Sequence, residues 1–262
     1  MFSLDNIQIV LVEISHPGNI GAAARSMKTM GLSQLRLVQP KQFPSAEATA
    51  RATGADDVLS NAQIFDTLEE SLRDCHIVFA TSARLRAIAW PTVSPKTCAE
   101  QALKCTGKVA IVFGREQAGL TNEELDCCNY LVQIPTNPTF RSLNVASAVQ
   151  ILAYELREKY EQLLIQNDDF IIKNEESSID EMDFSLPPPA VAEDVARFYE
   201  HLEQTLIDIG FLDPQKPRHM MRHLHRLFNR MQLLDSEVRL LRGVLTAVQK
   251  QVPQSALDKE SK

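Results

Sequence analysis

The residues whose types and spacing suit chemistry fall in four short stretches, each after an apolar run. "SHPGNIGAAAR", carrying Asn19, Gly21 and Arg25, follows "IQIVLV"; "TSAR", from Thr81, follows "HIVFA". "FGREQAGL", carrying Gly114 and Glu116, follows "KVAIV"; "IPTNPTFRSLN", carrying Ile134, Ser142, Leu143 and Asn144, follows "YLVQ". A Pro-Gly turn that opens a helix of small residues leaves backbone N–H groups free to hold an anion. The glycines at 18 and 21 match neither a G-x-G-x-x-G fingerprint nor a phosphate loop closed by G-K-[ST], so the turn is not a common nucleotide cradle. A fifth feature lies far downstream. Arg218, Arg222, Arg226 and Arg230 stand four residues apart with histidines between them, and no acid occurs from Lys216 to Leu234. An unmixed basic helix face of this kind suits phosphate binding, whereas a solvated face usually mixes both signs.

The elements that must position these residues can be read from periodicity. Up to about residue 163, strand-like runs ("IQIVLV", "LRLVQ", "HIVFATS", "KVAIVFG", "YLVQIP") alternate with helical patterns such as "GAAARSMKTM", "DTLEESLRD" and "TNEELDCC". That alternation predicts an α/β domain with a largely parallel sheet, in which ligands bind beyond the carboxyl ends of the strands, where the four stretches stand. Val145, Val149, Leu152 and Leu156 recur at helical spacing, with Ser142 in place for an N-cap. After Pro189 the pattern is wholly helical, with helices around 191–209, 221–231 and 238–248. The predicted organisation is an α/β domain over 1–163, a linker over 164–189 and a small all-α extension over 190–262.

Charge supports that division. The chain has 262 residues and a formal net charge of −7, but Leu164 to Pro189 holds seven acidic residues against Lys173 alone. The rest of the chain is nearly neutral, so an acidic total does not exclude a nucleic-acid partner. No apolar stretch approaches the ~20 residues of a membrane span, and "MFSLDN" lacks the blocks of a signal peptide, so the expected location is cytoplasmic. The five cysteines form no C-x-x-C pair, and His219 and His223 lack companion ligands, so no metal site is expected.

Taken together, Asn19-x-Gly21-Ala22-x-x-Arg25, Phe113-Gly114-x-Glu116-x-x-Gly119-Leu120, and Ile134-Pro135 leading to Ser142-Leu143-Asn144-x-x-x-Ala148 resemble the three ordered motifs of the SPOUT (SpoU/TrmH-type) RNA 2'-O-ribose methyltransferases. The resemblance spans nearly all of residues 5 to 160, and the wording is most similar to bacterial members that methylate cytidine or uridine at position 32 of tRNA. It implies a deep trefoil knot, a homodimer, and S-adenosyl-L-methionine as cofactor, held by Thr81, Ser82, Ala83, Gly114, Ile134, Ser142, Leu143 and Asn144. It also implies that Arg25 acts on the RNA, with Asn19 and Ser142 near the reacting hydroxyl and Glu116 orienting its loop. A guanidinium holds its proton too firmly for a literal general base, so positioning and charge stabilisation are the expected roles of Arg25. The basic helix with Arg218, Arg222, Arg226 and Arg230 would grip tRNA.

Three other readings remain beside it. A dehydrogenase lacks the glycine fingerprint and an acidic ribose anchor. A non-catalytic RNA- or DNA-binding module would use the basic helix as reader, but has no need of the "FGRE" and "RSLN" pair. A methyltransferase for another tRNA or rRNA site would share all the motifs.

Overall fold

The computed structural model describes residues 3–83, 90–174, 187–215 and 220–251, with side chains of the helix that ends at 174 described as far as 166. In chain order the elements are β1 (Ile7–Val12), α1 (Pro17–Thr29), β2 (Gln34–Val38), α2 (Ala46–Ala52), α3 (Asp56–Ser60), β3 (Gln63–Phe65), α4 (Leu68–Leu72), β4 (Cys75–Thr81), β5 (Thr92–Val93), α5 (Pro95–Lys104), β6 (Lys108–Phe113), α6 (Asn122–Asp126), β7 (Tyr130–Val132) and α7 (Val145–Asn174), followed by α8 (Ala192–Asp208), α9 (Met220–Met231) and α10 (Asp235–Gln249). The strands form one seven-stranded sheet in the order β3-β2-β1-β6-β4-β7-β5, and every pairing is parallel.

The uninterrupted apolar strands follow from burial on both faces. In β1, Ile7, Ile9 and Leu11 join a core with α1, α5 and α7, while Val10 and Val12 point the other way into a second core with α4 and α6. The five strand-like runs are the central strands. β3 and β5 carry no readable periodicity, because three and two residues are too short for an alternation to register.

Two local expectations are corrected. Ser142 is not the N-cap of α7: the Asn144 side chain accepts from the Ala146 N–H at 2.9 Å, one residue before the helix begins. The helix also does not stop near 163. It continues to Asn174, into the segment read as linker, because acidic and amide residues are compatible with a solvated helix as well as with a coil. Residues 175–186, the remainder of that acidic run, lie outside the described residues.

The first two C-terminal helices have the expected bounds within a residue, and the third begins three residues earlier than expected, at Asp235. Their core is small, formed by Ala190, Phe198, Tyr199, Leu202, Leu233 and Val238. A buried polar peg fastens it to the α/β domain. Asn229 donates to the carbonyls of Asp126 (3.0 Å) and Cys128 (3.2 Å), accepts from the Tyr199 hydroxyl (2.7 Å), and its own carbonyl accepts from Asn129 (3.2 Å).

Candidate active site

The parallel sheet delivers the loops after β1, β4, β6 and β7 to one edge. A cavity of about 130 Å³ lies there, lined by seven of the eight residues expected to hold a cofactor: Thr81, Ser82, Ala83, Gly114, Ile134, Ser142 and Leu143. Asn144 does not line it. A larger cavity of about 640 Å³ lies between the α/β domain and the extension, and no motif residue lines it. The smaller cavity is the candidate site because the convergent polar groups are there.

The turn that opens α1 holds an anion, and the anion belongs to the protein. Glu116, from the loop after β6, accepts from the Ser15 N–H (3.2 Å), the Ser15 hydroxyl (3.1 Å), the His16 N–H (3.2 Å) and the Asn19 amide (3.0 Å). His16 is the N-cap, its Nδ1 accepting from the Gly18 N–H at 3.2 Å, with Pro17 in the first turn. Burial alone would raise the carboxyl pKa of Glu116; the Asn19 bond and backbone donors outweigh it, and the net shift is downward. A carboxylate so held is ionised and occupied, which suits it to bracing a loop and not to collecting a proton.

Asn19 continues the link. Its amide nitrogen donates to Glu116, and its carbonyl oxygen accepts from Asn144 at 3.0 Å. One side chain thus joins the first motif to the second, 97 residues away, and to the third, 125 residues away. Asn144 is committed to Asn19 and to the cap of α7, which explains its absence from the cavity wall.

The glycines serve backbone packing. A Cβ on Gly114 would lie 2.4 Å from the Gly119 carbonyl carbon and 2.5 Å from the Leu120 nitrogen, so the loop after β6 closes on itself only with glycine there. At Gly21 a Cβ would lie 2.0 Å from the Ala48 carbonyl oxygen, where α2 crosses α1.

Arg25 is exposed on α1 and does not line the cavity. It stands six residues beyond Asn19, about 9 Å along the helix axis. Arg141 and Arg115 do line it, although the sequence reading singled out neither. Arg141 precedes Ser142 and donates to the Pro138 carbonyl at 3.1 Å. Arg115 was only an unspecified motif position, and its partners Glu13 and Glu124 reveal themselves only in the fold.

The basic stripe is divided. Arg218 lies outside the described residues. Arg222 faces the α/β domain, paired with Asp126 at 3.0 Å and Glu123 at 3.3 Å, and its side chain is only 19% exposed. α9 turns that position toward α6 and its carboxylates, where the sequence reading expected a phosphate. Arg226 is half-buried and Arg230 exposed.

Fold and site together define an α/β methylase of the SpoU type: the SpoU rRNA Methylase family matches residues 6–154, and the family described as tRNA methyltransferase TrmJ, C-terminal domain, matches residues 193–257. The chain is 52% identical to the tRNA (cytidine/uridine/adenosine-2'-O-)-methyltransferase TrmJ of Pseudomonas aeruginosa, over 94% of this chain and 95% of that one. It is 46% identical to the tRNA (cytidine/uridine-2'-O-)-methyltransferase TrmJ of Pectobacterium atrosepticum, over 94% and 98%. Among solved structures, TrmJ from Z. mobilis ZM4 superposes with a TM-score of 0.77 at 34% identity, covering 92% of this chain and 98% of that one. The chain belongs to the SpoU methylase family, in its TrmJ branch.

Proposed function

We propose that the protein transfers a methyl group from S-adenosyl-L-methionine to the ribose 2'-hydroxyl of cytidine or uridine at position 32 of the tRNA anticodon loop. The observation that carries this reading is the linked edge of the sheet, where Glu116, Asn19 and Asn144 tie three motif loops around one cavity. The TrmJ relatives named above for tRNA 2'-O-methylation support the substrate class.

The residues present suit the cofactor. The loops supply backbone donors and acceptors at 114 and 142–143, with apolar flanks from Ile134, Leu143 and Val132, as a nucleoside and an amino-acid carboxylate require. Thr81 keeps its loop in place, its hydroxyl donating to the Val112 carbonyl at 3.0 Å. When bound, the cofactor supplies an electrophilic methyl group. The chain's task is to aim one hydroxyl along the line of displacement and stabilise the negative charge that develops as its proton leaves. Arg25 carries the charge for that task, and Ser142 stands at the cavity wall to orient the hydroxyl. Arg226, Arg230 and Arg218 hold phosphates away from the reacting nucleotide. Exposed Tyr154, Leu164 and Ile165 on α7 supply apolar surface for a second copy in a homodimer. The deep knot belongs to the same reading. The substrate places the enzyme in the cytoplasm; among the described residues no helix is long and apolar enough to cross a membrane.

A methylation assay tests the proposal with tRNAs bearing C, U or A at position 32, and with a deoxyribose there. Cytidine and uridine are expected to accept the methyl group and the deoxy substrate to accept none; methyl incorporation into the deoxy substrate would remove ribose as the acceptor. In the same assay Arg25→Ala is expected to lower turnover on the order of 10²–10³-fold, as loss of one charge-stabilising group does, with cofactor affinity within a few-fold. Near-normal turnover would take Arg25 out of the mechanism.

A further inference from the structure

Arg115 stands at the cavity wall between Gly114 and Glu116, and its side chain turns away along the underside of the loop. It meets Glu124 as a fork, Nη1 and Nη2 each donating to a carboxylate oxygen at 3.0 Å. Nη2 also donates to Glu13, at the end of β1, and Nη1 to the Gly119 carbonyl at 3.3 Å. The Gly119 N–H returns a bond to the Arg115 carbonyl at 2.9 Å. The guanidinium therefore fastens both ends of the loop to β1 and to α6. Two further features mark the clamp. Glu13 adopts φ 47, a left-handed conformation unfavourable for a residue with a side chain, and its second carboxylate oxygen takes Lys41 at 3.1 Å. Glu124 also completes the capping box of α6 with Thr121.

The other side of α6 faces the helical extension. Asp126 and Glu123 pair with Arg222 of α9, and the Asp126 carbonyl accepts from Asn229. A five-residue helix thus holds the cavity loop through Glu124 and the extension through Asp126.

We propose that Arg115 is a positioning residue for the cofactor loop, and that α6 links the seating of the helical extension to the shape of that loop. This rests on the cavity being the cofactor site. Seating of α9 fixes α6; α6 fixes Glu124; and Glu124, with Glu13, holds Arg115 and the loop in the form that binds the cofactor. Linkage makes the effect reciprocal, so cofactor binding tightens the seating of α9 to the same degree.

The test is calorimetric titration of S-adenosyl-L-methionine into the full-length protein, its Arg115→Gln, Arg115→Lys and Arg222→Gln variants, and the Arg115→Gln/Arg222→Gln double variant. Thermal unfolding is followed in parallel. Arg115→Gln is expected to weaken cofactor binding roughly ten-fold or more through loss of a forked charged pair, and Arg115→Lys, which keeps one charge-assisted bond, to recover part of it. Arg222→Gln is expected to weaken it about three-fold, and the double variant to be no worse than Arg115→Gln within about two-fold, because both act along one path. Hydrogen exchange in α9 of the full-length protein is expected to slow when the cofactor is added. If Arg115→Gln binds as the unaltered protein does, or loses affinity only in proportion to lost folding with no recovery by lysine, Arg115 is not a positioning residue. If Arg222→Gln leaves cofactor affinity unchanged, or the two losses multiply independently, α6 does not carry the link. Failure of the unaltered protein to bind the cofactor would overturn the proposed function, a result distinct from either.

Discussion

The edge of the sheet and the helical extension hold their functional residues by different means. At the edge, polar side chains are linked to one another above a deep core in which Ile7, Ile9, Val10, Leu11, Val109 and Ile111 are fully buried, so the loops inherit the rigidity of the strands beneath them. The extension has a core of six buried side chains and leaves Leu227, Met231, Leu240 and Val244 exposed; its place is set by Asn229, Tyr199 and Arg222. Chemistry at the edge therefore depends on distances that the sheet fixes, whereas the extension is expected to lose its seat before the sheet unfolds.

Gly114→Val gives the sharpest contrast and the largest effect. Its side chain would enter the backbone of Gly119 and Leu120, so cofactor binding is expected to fall by about two orders of magnitude while the sheet beneath stays folded. Unaltered binding by calorimetry would show that the loop does not shape the site. The converse is Phe198→Ala in α8. Phe198 is 1% exposed and packs edge-on against Phe228, and its removal is expected to cost the extension about 3–5 kcal/mol. Scanning calorimetry should show the extension melting earlier with the α/β transition in place; a single shifted transition would mean the two regions fold as one unit.

A smaller effect comes from pH. His225 packs against Tyr199 with ring centroids 3.9 Å apart and the rings tilted by 33°, and burial, helped by nearby Arg222, lowers its pKa from 6.5 to about 4. The unfolded chain binds this proton more readily, so the associated stability is fully present above about pH 6.5 and is lost as pH falls toward 4, on the order of 2–3 kcal/mol. Asp126, raised by burial, works in the opposite direction at the acid end, with the smaller shift. The extension should therefore loosen between pH 6.5 and 4 before the sheet does, as proteolysis or hydrogen exchange would show. Simultaneous loosening of both regions would blur the distinction between them.

The sequence by itself determined the class of fold, the central strands, the three terminal helices and seven residues that line the cavity. Those features are local: an apolar run with a specific turn after it has one reading wherever it falls. Only the tertiary structure decided what the side chains face. Glu116 is the anion that the turn of α1 holds, Asn19 links three motifs, Asn144 rather than Ser142 caps α7, and Arg222 turns inward to Asp126. The periodicity of α9 placed its arginines on one face but could not say which neighbour that face would meet. Arg115 shows the same limit, because a guanidinium reads alike whether it meets water, phosphate or the carboxylates of Glu13 and Glu124, 102 and 9 residues away. Pairing between distant charges is set by how the sheet orders its strands, and that order comes from packing both faces at once, a property no single segment contains.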